Sequence, residues 1–421
     1  MLGRRNFIAL SAGMAAWAGF DRGWSAEPGL AFYASTGPDL TLYTLDVEGA
    51  SLTPRATVRL PANVQYAWPH PSRKYLYVVA SNGQPAGGPT GAAGRDANHY
   101  ACAYRVDPAS GALTPHGEPR RLPVRPLHVS VDRTGRFLLV AYNHPSGATV
   151  HHIAADGTIG AMVSQPKGLD FGIFAHQIRT TPSNRTAILV TRGNNAMPDH
   201  PEDPGAIKIF SFDEGRLANL ASIAPGNGLG FGPRHLDFHP TAPFVYVSLE
   251  RENALYVYGL APNGILTRDP LFRRATLTDP GTVHPGQGAG PIHVHPNGRF
   301  VYQTNRGSGR TAFEGRKVWN GGENSVVVWS IDEKTGAPTA IQHIDTHGFE
   351  PRTFTIDPAG RVLLVANITP MPVRRGEAVV NESAGLSVYR IGDDGKLSFV
   401  RKYDVDTRDG TLFWCGLLTM A

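Results

Sequence analysis

One property restricts the folds open to this chain more than any other: it repeats. A turn followed by an apolar strand recurs as HPSRKYLYVVASN from residue 70, DRTGRFLLVAYNH from 132 and TPSNRTAILVTRG from 181. It returns as HPTAPFVYVSLER from 239, HPNGRFVYQTNRG from 295 and DPAGRVLLVANIT from 357. The starts lie 62, 49, 58, 56 and 62 residues apart. A second unit is interleaved with the first: an alternating strand, an Asp/Asn/Gly turn and the start of another strand, as in LTLYTLDVEGASL (41), AIKIFSFDEGRL (206) and SVVVWSIDEKTGAP (325). The second unit occurs seven times and the first six. The ends account for the mismatch, because LAFYAST (30–36) matches the tail of the first unit and TLFWCGLL (411–418) resembles the strand that precedes it. Four strands in each repeat of about 57 residues are the signature of a β-propeller blade. A seventh repeat divided between the termini closes the ring by pairing first and last strands, leaving no open sheet edge. The expected fold is all-β: one seven-bladed propeller of four-stranded antiparallel blades over residues 27–421.

Composition agrees. Glycine (48) and proline (34) are abundant and spread through short turns, as many short strands require. Charged residues are 18% of the chain and the net charge of +5 is scattered, so no clustered basic face marks a nucleic-acid partner. Cys102 and Cys415 have neither metal nor redox spacing, and either a disulfide or two buried thiols is compatible with the sequence. The His pair at 151–152 lacks a third ligand at metal spacing. No nucleophile elbow, phosphate loop or dinucleotide fingerprint is present, so no cofactor is implied.

Residues 1–26 stand apart. Arg4 and Arg5 precede an apolar stretch from Phe7 to Phe20, too short for a membrane span of about 20 residues. This is the pattern of a twin-arginine export signal, with cleavage after the small-x-small AWA at 16–18 or after Ala26. The expected location is the periplasm, with no membrane span once the signal is removed.

The repeat also locates a site. Residues equally far on either side of a hairpin turn lie at one end of the sheet. Counted from the residue before the turn proline, five positions upstream and eleven downstream give Arg234 with Glu250, and His176 with Arg192. The other downstream positions are Ser81, Asn143, Arg306 and Ile368, and the other upstream ones include Gln65, Leu127, Gly290 and Arg352. Strand middles are apolar, yet this one height collects His176, Arg192, Arg234, Glu250, Arg306 and Arg352. In a propeller, equivalent ends of all blades meet around one mouth. Arginines in the majority there favour a carboxylate or phosphate held by guanidinium forks. Glu250 or His176 is the candidate general base. His128 and His235 share an inner-strand position and are candidate channel-lining, substrate-binding residues alongside Arg192 and Arg352. His70, His239 and His295 fall at the turns, at the opposite end, and are expected to be turn formers, as is Asp357.

The segments FAHQIRTTPSNR (174), GPRHLDFHP (232) with VYVSLE (245), PIHVHPNGRFVYQTNRG (291) and EPRTFTIDPAGRVLLVAN (350) resemble the seven-bladed propeller lactonases, which include a bacterial 6-phosphogluconolactonase and a fungal carboxy-muconate lactonising enzyme. The resemblance implies a site of one histidine, two arginines and a glutamate, falling on His176, Arg234, Glu250 and Arg306. It implies hydrolysis of a small anionic lactone by activated water. Two alternatives stay open: a lactonising or isomerising enzyme using the same residues in reverse, and a non-catalytic propeller binding a ligand or protein in the periplasm. An export signal fits an unphosphorylated aldonolactone or another carboxylated lactone as well as a phosphorylated one. Segment 199–206 and the Gly-rich stretches 83–98 and 307–323 are expected to reshape the funnel mouth.

Overall fold

A computed structural model of the chain describes residues 29–83 and 97–420; the twin-arginine segment and most of the first Gly-rich stretch lie outside these. The described residues form seven four-stranded antiparallel blades around one axis, and the only helical element among them is a short 3-10 turn at Pro225–Gly228. Blade 1 is the divided one. Its three outer strands are Leu30–Thr36, Asp39–Asp46 and Ser51–Arg59, and its innermost strand is Leu412–Thr419 from the other end of the chain. Ala34 pairs with Cys415 and Ala31 with Leu418, so the ring is closed by backbone hydrogen bonds as the repeat count requires. The innermost strands of blades 2 to 7 are Val64–Pro69, Pro126–Val131, Ala175–Thr180, Pro233–Phe238, Gln287–Val294 and Pro351–Ile356.

Why the second strands read as unbroken apolar runs follows from the stacking of blades. A strand buried on both faces has no solvent side to which polar residues could alternate. In Thr186–Thr191 of blade 4, Ile188 and Val190 join Val245 and Val247 of blade 5 in one core. Ala187 and Leu189 point the other way, joining Leu139 and Ala141 of blade 3 in another. The outermost strands are largely exposed, as in Arg216–Ile223, where only Leu217 and Ile223 are buried.

The turns tie neighbouring blades together. Tyr77 donates to the Gly157 carbonyl (2.8 Å), Tyr246 to Gly336 (3.1 Å) and Tyr302 to Gly395 (2.8 Å), each tyrosine reaching the outer turn of the next blade. Gly157 has φ +88°, and a Cβ there would fall 2.3 Å from the Tyr75 ring, so only glycine fits. His70, His239 and His295 are turn residues, as expected. Their Nε2 atoms bond the Gly135, Gly298 and Gly360 carbonyls of the following blades, while Asp132 and Asp357 cap the equivalent turns. Cys102 and Cys415 are free and buried in separate blades, so they do not pair.

Two inserted hairpins rise between the second and third strands of blades 6 and 7. They are Arg310–Phe313 with Arg316–Trp319, and Met371–Arg375 with Ala378–Glu382. They lean on each other, with the Arg374 guanidinium 4.0 Å over the Phe313 ring. The first occupies the Gly-rich stretch expected to reshape the mouth; the second has no glycine cluster to announce it.

Candidate active site

Every innermost strand carries a β-bulge at the same height. Pairing skips His176 between Ala175 and Gln177, Arg234 between Pro233 and His235, and Arg352 between Pro351 and Thr353. The same irregularity falls at Gln65, at Leu127, at Gly290–Pro291 and at Phe413–Trp414. A bulge leaves one residue out of the ladder and re-aims its side chain. The upstream positions counted from the turns are thus the bulged residues of the ring. The downstream positions follow the last ladder pairs of the second strands, bringing Arg192 and Glu250 to the same mouth.

Glu250 is the hub. Arg192 Nη1 donates to its Oε1 at 2.7 Å, Arg234 Nε lies 2.8 Å from Oε2, and Arg306 Nη2 lies 3.1 Å from Oε2. Burial pushes the Glu250 carboxyl up, but Arg192, Arg306 and Arg234 outweigh it and bring it down to about 2. Arg306 also donates to Glu350 Oε2 at 3.0 Å. Arg234 is only 1% exposed and its Nη1 is buried without a partner; burial and Arg306 lower it to about 9, against the pull of Glu250.

His176 is buried beside this cluster, its ring 5.0 Å from His235, and its Nδ1 has no hydrogen-bond partner. Burial, then Arg234, His235, Arg352 and Arg192, hold it well below the usual imidazole value, so it is neutral at pH 7. The structure therefore brings His176, Arg234, Glu250, Arg306 and Arg192 to one opening, with Arg352 coupled electrically to Arg234 and Arg306. His235 lies just beneath. His128 is placed deeper: it is fully buried, its ring 4.3 Å from Tyr66 and 5.7 Å from Trp68, and both ring nitrogens are unpartnered. It helps fill the channel and does not reach the mouth. At the far end Asp237 binds Arg179 (2.6 Å), which also lies 5.1 Å from both Trp68 and Phe238.

Several mouth residues escaped the turn count. Arg125, Phe174 and Glu350 each sit two positions before a bulged residue, so the same frame holds a second ring that a longer count would have reached. Phe174 supports Arg192, whose guanidinium lies 4.0 Å over its ring. Glu350 has φ +57° and is fixed by its N–H to Asn324 Oδ1. Arg251 pins the inserted 199–206 segment, bonding the Asn194 and Asp203 carbonyls and pairing with Glu202 at 2.8 Å. Among the described residues no group of three or more His, Cys, Asp or Glu is arranged to hold a metal ion.

Residues 31–371 match the family model described as lactonase, 7-bladed beta-propeller. The chain is 28% identical over 351 residues to the 6-phosphogluconolactonase of Serratia proteamaculans, covering 83% of this chain and 87% of that one. It is 27% identical over 330 residues to the 6-phosphogluconolactonase of Bacillus subtilis, covering 77% and 83%. Among solved structures, a protein from Lactobacillus plantarum superimposes with a TM-score of 0.67 at 22% identity, over 93% of this chain and 99% of that one. A periplasmic gluconolactonase from Pseudomonas aeruginosa does so with a TM-score of 0.66 at 21% identity, over the same shares. A bulged, arginine-rich mouth on seven blades and a family match spanning most of the ring lead to one statement: the chain belongs to the seven-bladed β-propeller lactonase family.

Proposed function

We propose that the mouth hydrolyses a small anionic lactone, with His176 as general base and Glu250 as the fixed counter-charge that organises the arginines. Membership of the family makes the chain a lactone hydrolase, and its relatives carry the name 6-phosphogluconolactonase. The observation that carries the assignment of the base is the capture of Glu250 by three guanidinium groups. The Glu250 oxygens are taken up by guanidinium groups and its carboxyl is held near 2, whereas His176, whose basicity burial also lowers, is uncharged, makes no ion pair and keeps Nδ1 without a partner.

In the proposed sequence His176 takes a proton from water as the oxygen adds to the lactone carbonyl carbon. The carbonyl π pair moves to oxygen, and Arg234 and Arg306 stabilise the resulting oxyanion. When the carbonyl re-forms, the ring C–O bond breaks and its electron pair stays on the departing alkoxide. The imidazolium returns its proton there, giving a hydroxy acid. The suppressed basicity of His176 makes its imidazolium a strong acid for this second half.

The test is a lactone panel assayed with wild type, His176→Gln and Arg306→Ala. Wild-type turnover that falls at least about a hundredfold in both variants is expected; turnover surviving both removes this mouth from the mechanism. We further propose that residues 1–26 export the folded protein to the periplasm. Replacing Arg4 and Arg5 together with lysine should retain the protein in the cytoplasmic fraction, and unchanged fractionation would refute the proposal.

A further inference from the structure

The mouth is lopsided. Blades 4, 5 and 6 contribute Arg192, Glu250 and Arg306, where the carboxylate is already saturated by guanidinium groups. Blades 7, 1 and 2 contribute the bulged residues Arg352, Phe413 and Gln65, joined by Arg125 from the chain entering blade 3. Arg352 makes no hydrogen bond or ion pair among the described residues; its guanidinium lies 3.8 Å over the Phe413 ring. Arg125, 6% exposed, lies 6.0 Å from the same ring. Arg125 donates to the Gln65 side-chain carbonyl, a neutral acceptor, and its Nε is buried without a partner.

Two guanidinium groups thus converge on one aromatic ring and neither forms an ion pair; Arg125 is buried, while Arg352 is half-buried and feels the Glu350 carboxylate only from beyond ion-pair distance. Burying a cation without a counter-ion is unfavourable, and an amide and a ring face offset only part of that. Burial, then Arg234, Arg306 and Arg125, hold Arg352 well below the usual guanidinium value against a smaller pull from Glu350, and burial brings Arg125 down to about 10. An arrangement of this kind is relieved by an anion.

We infer that Arg125, Arg352 and Phe413 form an anion subsite separate from the ester-opening centre, which binds a phosphate or carboxylate that the substrate carries away from its lactone carbonyl. The inference rests on the lactonase reading for what the anion is attached to, and it adds the residues that set substrate selectivity. Arg352 and Arg234 are bulged residues at the same height of blades 7 and 5, so subsite and reaction centre open on one mouth.

The test compares Arg352→Leu and Arg125→Met with wild type on 6-phosphoglucono-δ-lactone, the carboxylated glucaro-1,4-lactone and neutral glucono-δ-lactone. The kcat/KM preference for an anionic over the neutral lactone should fall at least about tenfold in both variants, a loss of about 1.4 kcal/mol. Whichever anionic lactone loses its preference identifies the group the subsite takes; a preference unchanged within twofold for both overturns the inference. Thermal melting adds a readout independent of turnover. Inorganic phosphate should raise the wild-type Tm and not that of the variants, while ligand-free Arg125→Met melts no lower than wild type because an unpaired buried charge is gone. A purely structural Arg125 predicts the reverse: a lower Tm and an intact phosphate response. If wild type opens no lactone, the hydrolase reading fails, yet the phosphate response still decides the subsite, and its absence in wild type overturns it.

Discussion

Replacing Glu250 with glutamine keeps the side-chain volume and removes the charge that holds three arginines. In the folded chain the Glu250 carboxyl is displaced from 4.5 to about 2. At 1.36 kcal/mol per unit that displacement corresponds to about 3 kcal/mol. The folded value is the lower one, so the contribution is present above about pH 4.5 and disappears as pH falls through about 2. A separate estimate agrees, since stripping one partner from a buried ion pair costs about 3–5 kcal/mol. At 15% exposure the Glu250 side chain is sheltered enough for these figures to apply without strong solvent screening. Urea unfolding followed by tryptophan fluorescence should therefore put Glu250→Gln about 3 kcal/mol below wild type at pH 7, seen as a lower midpoint with an unchanged slope. At pH 3 the gap should narrow by about 2 kcal/mol, because there the carboxyl of the unfolded chain is protonated while the folded one is still largely ionised, so folding must release a proton. A variant within about 0.5 kcal/mol of wild type at pH 7, or a gap equal at both pH values, would refute the idea that Glu250 balances the arginine cluster.

Further outcomes follow from other parts of the ring. Because His176 is held below the usual imidazole value, kcat/KM should stay flat through neutrality and decline only below about pH 6.5; a pH-stat profile with its acid limb centred above that value would exclude His176 as the base. Tyr302→Phe removes the partner of the Gly395 carbonyl and should cost about 1–3 kcal/mol in urea unfolding, whereas Tyr258→Phe, which deletes a buried hydroxyl without a partner, should be neutral or slightly stabilising. Deleting residues 412–421 exposes the edge of Leu30–Thr36 and the channel core, so the product should lose cooperative unfolding and elute as aggregate on size exclusion.

The architecture was readable because each blade reuses one turn and one doubly buried strand, and seven copies averaged out the ambiguity of any single apolar run. The height of the site was readable for a related reason: hairpin register converts distance from the turn into position along the channel. Arg234 and Glu250 follow from that count, although it is the bulge, invisible in any one sequence segment, that turns the Arg234 side chain inward. Phe413 could not be found this way, since its strand joins blade 1 from the far terminus and no turn proline follows it. Arg125 and Glu350 lie before the strands begin, where loop conformation decides the direction of a side chain. The hairpin at Met371–Glu382 was hidden because MPVRRGEAVVNE alternates like any strand pair and contains nothing to separate an insertion from a blade strand. The choice between Glu250 and His176 as base was likewise closed to sequence, because it depends on how many guanidinium groups surround one carboxylate.

The divided blade imposes an order on biosynthesis. Phe413 lies on a strand made after every other strand of the ring, yet that strand occupies the innermost position of a blade whose other three strands precede all the remaining blades. A nascent chain can assemble six wedges and the rim of the seventh, but its pore stays gapped until Leu412–Thr419 has been made. Products that stop before residue 412 would thus be born without a complete mouth, so this geometry links chemical competence to synthesis of the closing strand.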